Sequence, residues 1–190
     1  MAVLVIAGSG RGAGKTAVGC ALIAAMPELS WIGVKVSPHQ HDSAGHCWEE
    51  RNQSSKKDTG RYLAAGARRA FLTDNPLSVE FAACMNTDRS RKNGAEALLV
   101  ESNQVSAEMI AGEQEQVVSI AVVCGPEAEW KTSLRSRIHS VDALVLTGRG
   151  TRSRLSAALV EKAIFRLAKE QWSSPELIKF VRERLGLNNH

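Results

Sequence analysis

A chain of 190 residues, 44% hydrophobic and 23% charged, has the length for one domain and the apolar material for an ordinary core. No apolar run approaches the roughly 20 residues that span a bilayer, so no membrane association is expected. The net charge of +4 is a mild excess, gathered at Arg68-Arg69, Arg89 to Lys92, Arg135 to Arg137 and Arg149 to Arg154. No nucleic-acid module accompanies these clusters, so they read as solvated surface and not as a nucleic-acid footprint.

Met1-Ala-Val-Leu-Val-Ile-Ala-Gly8 lacks a basic leader and runs into a glycine-rich loop, which marks a first core strand and not a signal peptide. Beyond it, short β-branched runs alternate with amphipathic stretches, the pattern of α/β layering. Strands are expected at Ala2 to Ala7, Trp31 to Ser37, Ala70 to Thr73, Ala97 to Glu101, Val117 to Val123 and Ala143 to Leu146. Several are apolar throughout, as parallel strands covered on both faces are. Helices are expected at Gly14 to Ala25, Thr59 to Ala65, Pro76 to Met85, Ala128 to Ile138, Arg154 to Lys169 and Pro175 to Leu185.

The last helix is the best signalled. Ser173 or Ser174 caps it, Pro175 fits its first turn, Glu176 suits its positive end and Gly186 closes it. Pro38 to Asp58, in contrast, is polar and without periodicity, and a loop that long is usually functional or mobile. With no internal repeat or long linker, the expectation is one nucleotide-binding domain over 1–190. It carries a mobile polar loop at 38–58 and a helical C-terminal portion at 151–190. Cys20, Cys47, Cys84 and Cys124 form no C-x-x-C pair, so a reducing, cytoplasmic location is expected. Cys20, Cys84 and Cys124 stand in apolar contexts, where a thiol behaves as a small hydrophobe.

The chemistry starts at Gly8-Ser-Gly-Arg-Gly-Ala-Gly-Lys-Thr16, which follows the first strand and opens the first helix. That is the context of a phosphate-binding loop, or P-loop. Its glycines let successive amide N–H groups converge on phosphate oxygens, and the helix start adds a positive dipole end. Ser9, Gly10, Arg11, Gly12, Ala13, Gly14, Lys15, Thr16 and Ala17 are therefore the expected nucleotide contacts. Lys15 would reach the β- and γ-phosphates, and Thr16 would offer its hydroxyl to Mg²⁺. The strict pattern has glycine where Ser9 stands; a serine makes the turn with some loss of freedom. Arg11 would reach a neighbouring nucleotide if two copies dimerise across it.

Ala97-Leu-Leu-Val-Glu101 is an apolar strand ending in an acid at the sheet edge where ligands bind in α/β folds. Glu101 is expected to hold the nucleotide Mg²⁺, directly or through water, with Lys15 and Thr16 as its catalytic companions. Asp142 lies at the opposite end of its strand and reads as a turn residue. Thr147 and Gly148 lie at the ligand edge, near a base that no motif selects, so ATP and GTP stay open. Lys35, late in the second strand, points to the phosphates or a second substrate, and Asp42 to Mg²⁺. His39, His41, His46 and Cys47 have ligand types that suit zinc or nickel, but H-x-H-x-x-x-x-H-C matches no strong template. One histidine in contact with phosphate or substrate, or plain exposure, are the other readings.

The P-loop, Val34-Lys35 followed by histidines, Asp58-Thr-Gly-Arg-Tyr-Leu-Ala-Ala-Gly-Ala67 and Leu99-Val-Glu-Ser102 stand in an order that resembles the molybdopterin-guanine dinucleotide biosynthesis protein B family. The resemblance covers the first hundred residues. It implies a P-loop NTPase with a mostly parallel sheet and helices on both faces. It also implies a weakly hydrolysing homodimer that works with a partner enzyme to attach a nucleotide to molybdopterin. Lys15 and Thr16 then serve phosphate and Mg²⁺, Glu101 the metal, and Asp58 and Arg61 a functional loop. Ser37-Pro38 replaces that family's usual second histidine, and Val-Glu-Ser its Val-Glu-Gly. The loop with Cys20-Ala-Leu22 is also similar to dethiobiotin synthetase and the cobyrinic acid amidases. Those enzymes activate a carboxylate with ATP, and Lys35 fits their second-strand lysine; their glycine-rich run after the glutamate is replaced by Ser102-Asn-Gln-Val. Metal-cofactor maturation is a further variant.

Overall fold

Strands that are apolar on both faces need helices on both faces, and the computed structural model of the chain has that arrangement. It describes residues 1–37, 47–75, 96–110, 116–148 and 155–187. Eight strands form one sheet: β1 (Ala2–Gly8), β2 (Ser30–Val36), β3 (Cys47–Glu50), β4 (Arg69–Thr73), β5 (Glu96–Glu101), β6 (Gln116–Cys124), β7 (Ala143–Thr147) and β8 (Ala163–Arg166). Their order is β3-β4-β2-β5-β1-β6-β7-β8. Among the described residues only the β3–β4 pair is antiparallel; the other pairs are parallel.

Alternate residues of each strand feed opposite cores. Leu4, Ile6, Leu99, Ile120 and Val122 pack with helix α1 (Lys15–Ala25), helix α2 (Asp58–Ala64) and the C-terminal helix. Val3, Val5, Val34, Leu98 and Val100 fill the other face. Ala121, Val123, Leu144 and Leu146 meet Trp130, Leu134 and Leu159 further along it. Three further helices among the described residues are short: α3 (Ala107–Ile110), α4 (Thr132–Arg135) and α5 (Ala157–Val160). Helix α6 (Pro175–Arg184) closes the chain as its signals foretell, with the Ser174 hydroxyl accepting from Leu177 N–H at 3.2 Å. Among the described residues no helix is long and apolar enough to cross a membrane.

Three expectations need correction. Arg154 to Lys169 is not one helix: α5 is followed by β8, which pairs with β7. Ile164 and Phe165 pack into opposite cores, so the segment follows strand alternation, and its pairing with β7 overrides helical propensity. Ala128 to Ile138 is broken into a 3-10 turn at Glu127–Glu129, helix α4 and a second 3-10 turn at Ile138–Ser140. The break falls at Trp130 and Lys131, where Trp130 N–H of the indole donates to Gly125 (3.2 Å) and Lys131 N–H reaches the Ser9 carbonyl (2.9 Å). Within the expected loop at 38–58, residues 47–50 are strand β3. Its acidic Cys-Trp-Glu-Glu sequence hides it: Glu50 is buried and accepts from the N–H groups of Arg51 and Asn52 at 3.1 and 3.0 Å. The expected helix at Pro76 to Met85 lies outside the described residues.

One close approach links this packing to the ligand edge. Gly33 of β2 lies under the Tyr62 ring, and a Cβ there would stand 2.8 Å from it. Gly33→Ala should therefore overpack the core and lower unfolding free energy by about 1–3 kcal/mol, read from the urea midpoint. An unchanged midpoint would mean that the ring is not seated there.

Candidate functional site

Register does much of the assembly. β2 and β5 run side by side with Lys35 opposite Glu101, so the two side chains leave neighbouring strands on the same face at the carboxyl edge. Lys35 Nζ and Glu101 Oε1 form an ion pair, and Lys35 also reaches Asp58 Oδ2 at 3.2 Å. Asp58 opens α2, where a carboxylate suits the helix dipole, and approaches Arg61 at 3.8 Å. Glu101 does not leave the sheet for solvent; it is 1% exposed.

Two hydroxyls complete its shell. Thr16 in the first turn of α1 donates to Glu101 Oε2 at 2.7 Å, and the Tyr62 phenol donates to the same oxygen. Burial, then the Glu101 carboxylate, pushes the Tyr62 phenol well above its ordinary range, so it stays a donor. With its proton committed to Glu101, the Thr16 oxygen has only lone pairs left to offer. A threonine oxygen beside a carboxylate is a hard-oxygen set of the kind Mg²⁺ uses together with phosphates and waters. The residues present therefore fit that ion.

The loop is held from behind. Ser9 and Ala13 are buried. The Ser9 hydroxyl accepts from Cys124 N–H at 3.0 Å, and Ser9 N–H donates to the Val122 carbonyl at 3.0 Å. Asn103 exchanges two 2.8 Å bonds with the Gly8 backbone. Thr147 is buried and donates to the Ala13 carbonyl at 2.7 Å, so its hydroxyl serves the loop backbone and not a base. Gly14 takes φ 97° at the start of α1, a conformation that suits glycine.

In front lies a cleft of about 800 Å³, within the range of small-molecule sites. Arg11, Gly12, Gly14, Lys15, Thr16, Ala17, Lys35, Asp58, Arg61 and Glu101 line it, with Asn103, Lys131 and Trp172. Lys15 Nζ donates to the Gly10 carbonyl at 2.9 Å. Burial holds the Lys15 ammonium below its usual range, Glu101 opposes the shift, and Lys35 and Lys131 add to it. It is a cation short of anions.

Chain-wide comparison adds the fold's relatives. No family model matches the chain, and no curated protein does. Among solved structures, HypB from Helicobacter pylori, in complex with nickel, superposes with TM-score 0.56 at 16% identity, over 97% of this chain and 85% of that one. LpxK from Aquifex aeolicus, in complex with ATP, gives 0.52 at 12%, over 87% of this chain and 53% of LpxK. A MobB protein homolog from Bacillus stearothermophilus gives 0.49 at 15%, over 95% and 98%. The fold is that of the P-loop NTPases.

The sequence motifs thus converge at Lys15, Thr16, Lys35 and Glu101, with Asp58 and Arg61 beside them. Asp42, His39, His41 and His46 lie outside the described residues. Cys47 starts the edge strand β3, opposite Thr73. Asp142 is at the far edge, accepting from Ser119 N–H at 2.8 Å. Burial pushes the Cys20 thiol up to about 11, in keeping with a packing role. Sequence reasoning missed the parts played by Tyr62, Asn103 and Trp172; only Tyr62 carried a signal, since it lies three residues beyond Thr59 on the face of α2 that packs on the sheet.

Tyr62→Phe removes one donor from a buried carboxylate while keeping the ring. It should cost about 1–3 kcal/mol of unfolding free energy by chemical denaturation. A variant as stable as the wild type would show that Thr16 and Lys35 alone satisfy Glu101.

Proposed function

We propose that the chain binds a Mg²⁺-complexed nucleoside triphosphate along residues 9–17 and hydrolyses it slowly. The observation that carries the reading is the meeting of Lys15, Thr16, Lys35 and Glu101 on one cleft at the carboxyl edge of a parallel sheet. Loop amides and Lys15 hold the β- and γ-phosphates, and Thr16 and Glu101 are the residues that would hold Mg²⁺. When bound, that ion neutralises charge on the β- and γ-oxygens. Glu101 orients the Thr16 hydroxyl, Tyr62 fixes Glu101, and Lys35 adds a second positive charge at the same edge. Positioning and charge are what this arrangement supplies, and they fit slow turnover.

At the level of biological role, we read the chain as an accessory factor in molybdopterin guanine dinucleotide biosynthesis, acting as a homodimer with a partner enzyme of that synthesis. Support comes from the motif order shared with that family, in which Asp58 and Arg61 border the cleft. One observation favours a second reading, ATP-dependent activation of a carboxylate: the Lys35 ammonium reaches the cleft beside the P-loop. Phosphate release that depends on an added acid substrate would choose that reading.

Calorimetry with Mg²⁺ and ATP or GTP tests the core claim. The wild type should bind at least one, and Lys15→Ala should lose about tenfold or more in affinity. GTP preference supports the molybdopterin role, ATP preference the carboxylate-activating one, and binding of neither removes both.

Affinity should also depend on pH in a set direction. In the free protein burial holds the Lys15 pKa below the ordinary lysine value of 10.5, and phosphates favour the charged form, so binding raises it again. Affinity is then full below the free-state value and declines as pH rises through it. A series of dissociation constants from neutral to alkaline pH reads this. A flat profile across that range would show that Lys15 does not meet the phosphates.

A further inference from the structure

The walls of the cleft differ in character on the two sides of β1. Lys35, Asp58 and Glu101 come from the β2–β5 side as a linked set of charges, while Lys131 follows β6 on the other side. On the other side stand β6, β7 and β8, and the residue that reaches the cleft from beyond β8 is Trp172.

Trp172 is held there from both ends of its segment. Leu167 is buried and its N–H donates to Leu146 at 3.0 Å, extending β8. Gln171 N–H closes a turn on Ala168 at 3.1 Å, and Ser174 caps α6. Between these anchors the indole lies against Gly14. A Cβ on that glycine would stand 2.5 to 3.4 Å from three atoms of the six-membered ring, so the ring packs on bare backbone at the start of α1. Trp172 is still 40% exposed.

The other tryptophans have structural explanations. Trp31 and Trp130 are buried with their indole N–H groups donating to the Met26 and Gly125 carbonyls. Trp48, on the edge strand, carries the Lys57 ammonium 5.1 Å above its ring. Trp172 instead presents an aromatic surface to the cleft that also holds Lys15 and Thr16.

We propose that Trp172 is the base-stacking residue of this site, with the nucleobase lying against its indole. The proposal rests on the nucleotide reading above and adds a direction to it. The terminal phosphate points toward Lys35 and Glu101, and the nucleoside toward β7 and β8. An indole offers a large rigid face at small entropic cost. Stacking tolerates any base, because every base has a π-face. Trp172 therefore contributes affinity for nucleosides while leaving the choice between adenine and guanine to other contacts.

The test compares ATP, GTP and inorganic tripolyphosphate, each with Mg²⁺, on the wild type, Trp172→Leu and Trp172→Phe. Leucine fills the space over Gly14 without a π-face; phenylalanine keeps one. Trp172→Leu should weaken both nucleotides by roughly five- to a hundredfold while tripolyphosphate stays within about twofold. Trp172→Phe should recover most of the nucleotide affinity. As a second readout, nucleotide but not tripolyphosphate should quench tryptophan emission of the wild type, and that quench should vanish in Trp172→Phe. Unchanged nucleotide affinity in Trp172→Leu overturns the proposal, and so does a parallel loss for tripolyphosphate, which would make Trp172 a prop for the loop. A quench that survives in Trp172→Phe also overturns it, even if the leucine variant does not fold. Wild type that binds tripolyphosphate but neither nucleotide refutes the stacking role while sparing the phosphate loop. Wild type that binds none of the three removes the nucleotide reading and the stacking role together.

Discussion

A carboxylate 1% exposed, holding an ammonium and two hydroxyls, ties this end of the molecule together. An ionised carboxylate is expensive to bury unless paired and hydrogen-bonded, and Glu101 is both. Its partners arrive from α1, α2 and β2, so the charge acts as a clamp on elements far apart in the chain. Lys35 shares its own charge with Asp58, which extends the clamp to the start of α2. Lys15 differs from this self-neutralising group. It rests on a backbone carbonyl in a partly buried position, where burial holds its ammonium below the usual range.

The loop in front of that clamp is set by the other half of the sheet. Ser9 is tied to the end of β6, Ala13 to Thr147 of β7, and Gly8 to Asn103 beyond β5. A loop whose glycines permit many conformations is thus restrained by side chains from three strand ends, of which Asn103 also lines the cleft. Such preorganisation lowers the ordering cost of binding. It also explains Ser9: the residue that departs from the strict P-loop pattern is the one whose hydroxyl fastens the loop to β6.

Much of this was legible in the residues. The P-loop, the acid ending a buried strand and the lysine late in β2 each follow from local pattern plus the rule that ligands sit at the carboxyl edge of such sheets. The six expected strands and the C-terminal helix appear close to their expected bounds. What was hidden depends on contacts distant in sequence. β8 looks helical until it pairs with β7, and β3 looks like loop because Glu50 turns inward to cap backbone N–H groups. Tyr62 and Trp172 have no local motif; one matters because Gly33 leaves room for its ring, the other because Gly14 does.

The pairing of Lys35 with Glu101 also constrains how the chain can change length. Side chains on a strand alternate faces, so a one-residue insertion or deletion within β5 would bring Val100 or Ser102 to the place of the acid. Descendants of this sequence can therefore vary β5 and keep its chemistry only at constant length. Within Glu96 to Glu101, only substitutions are open to them.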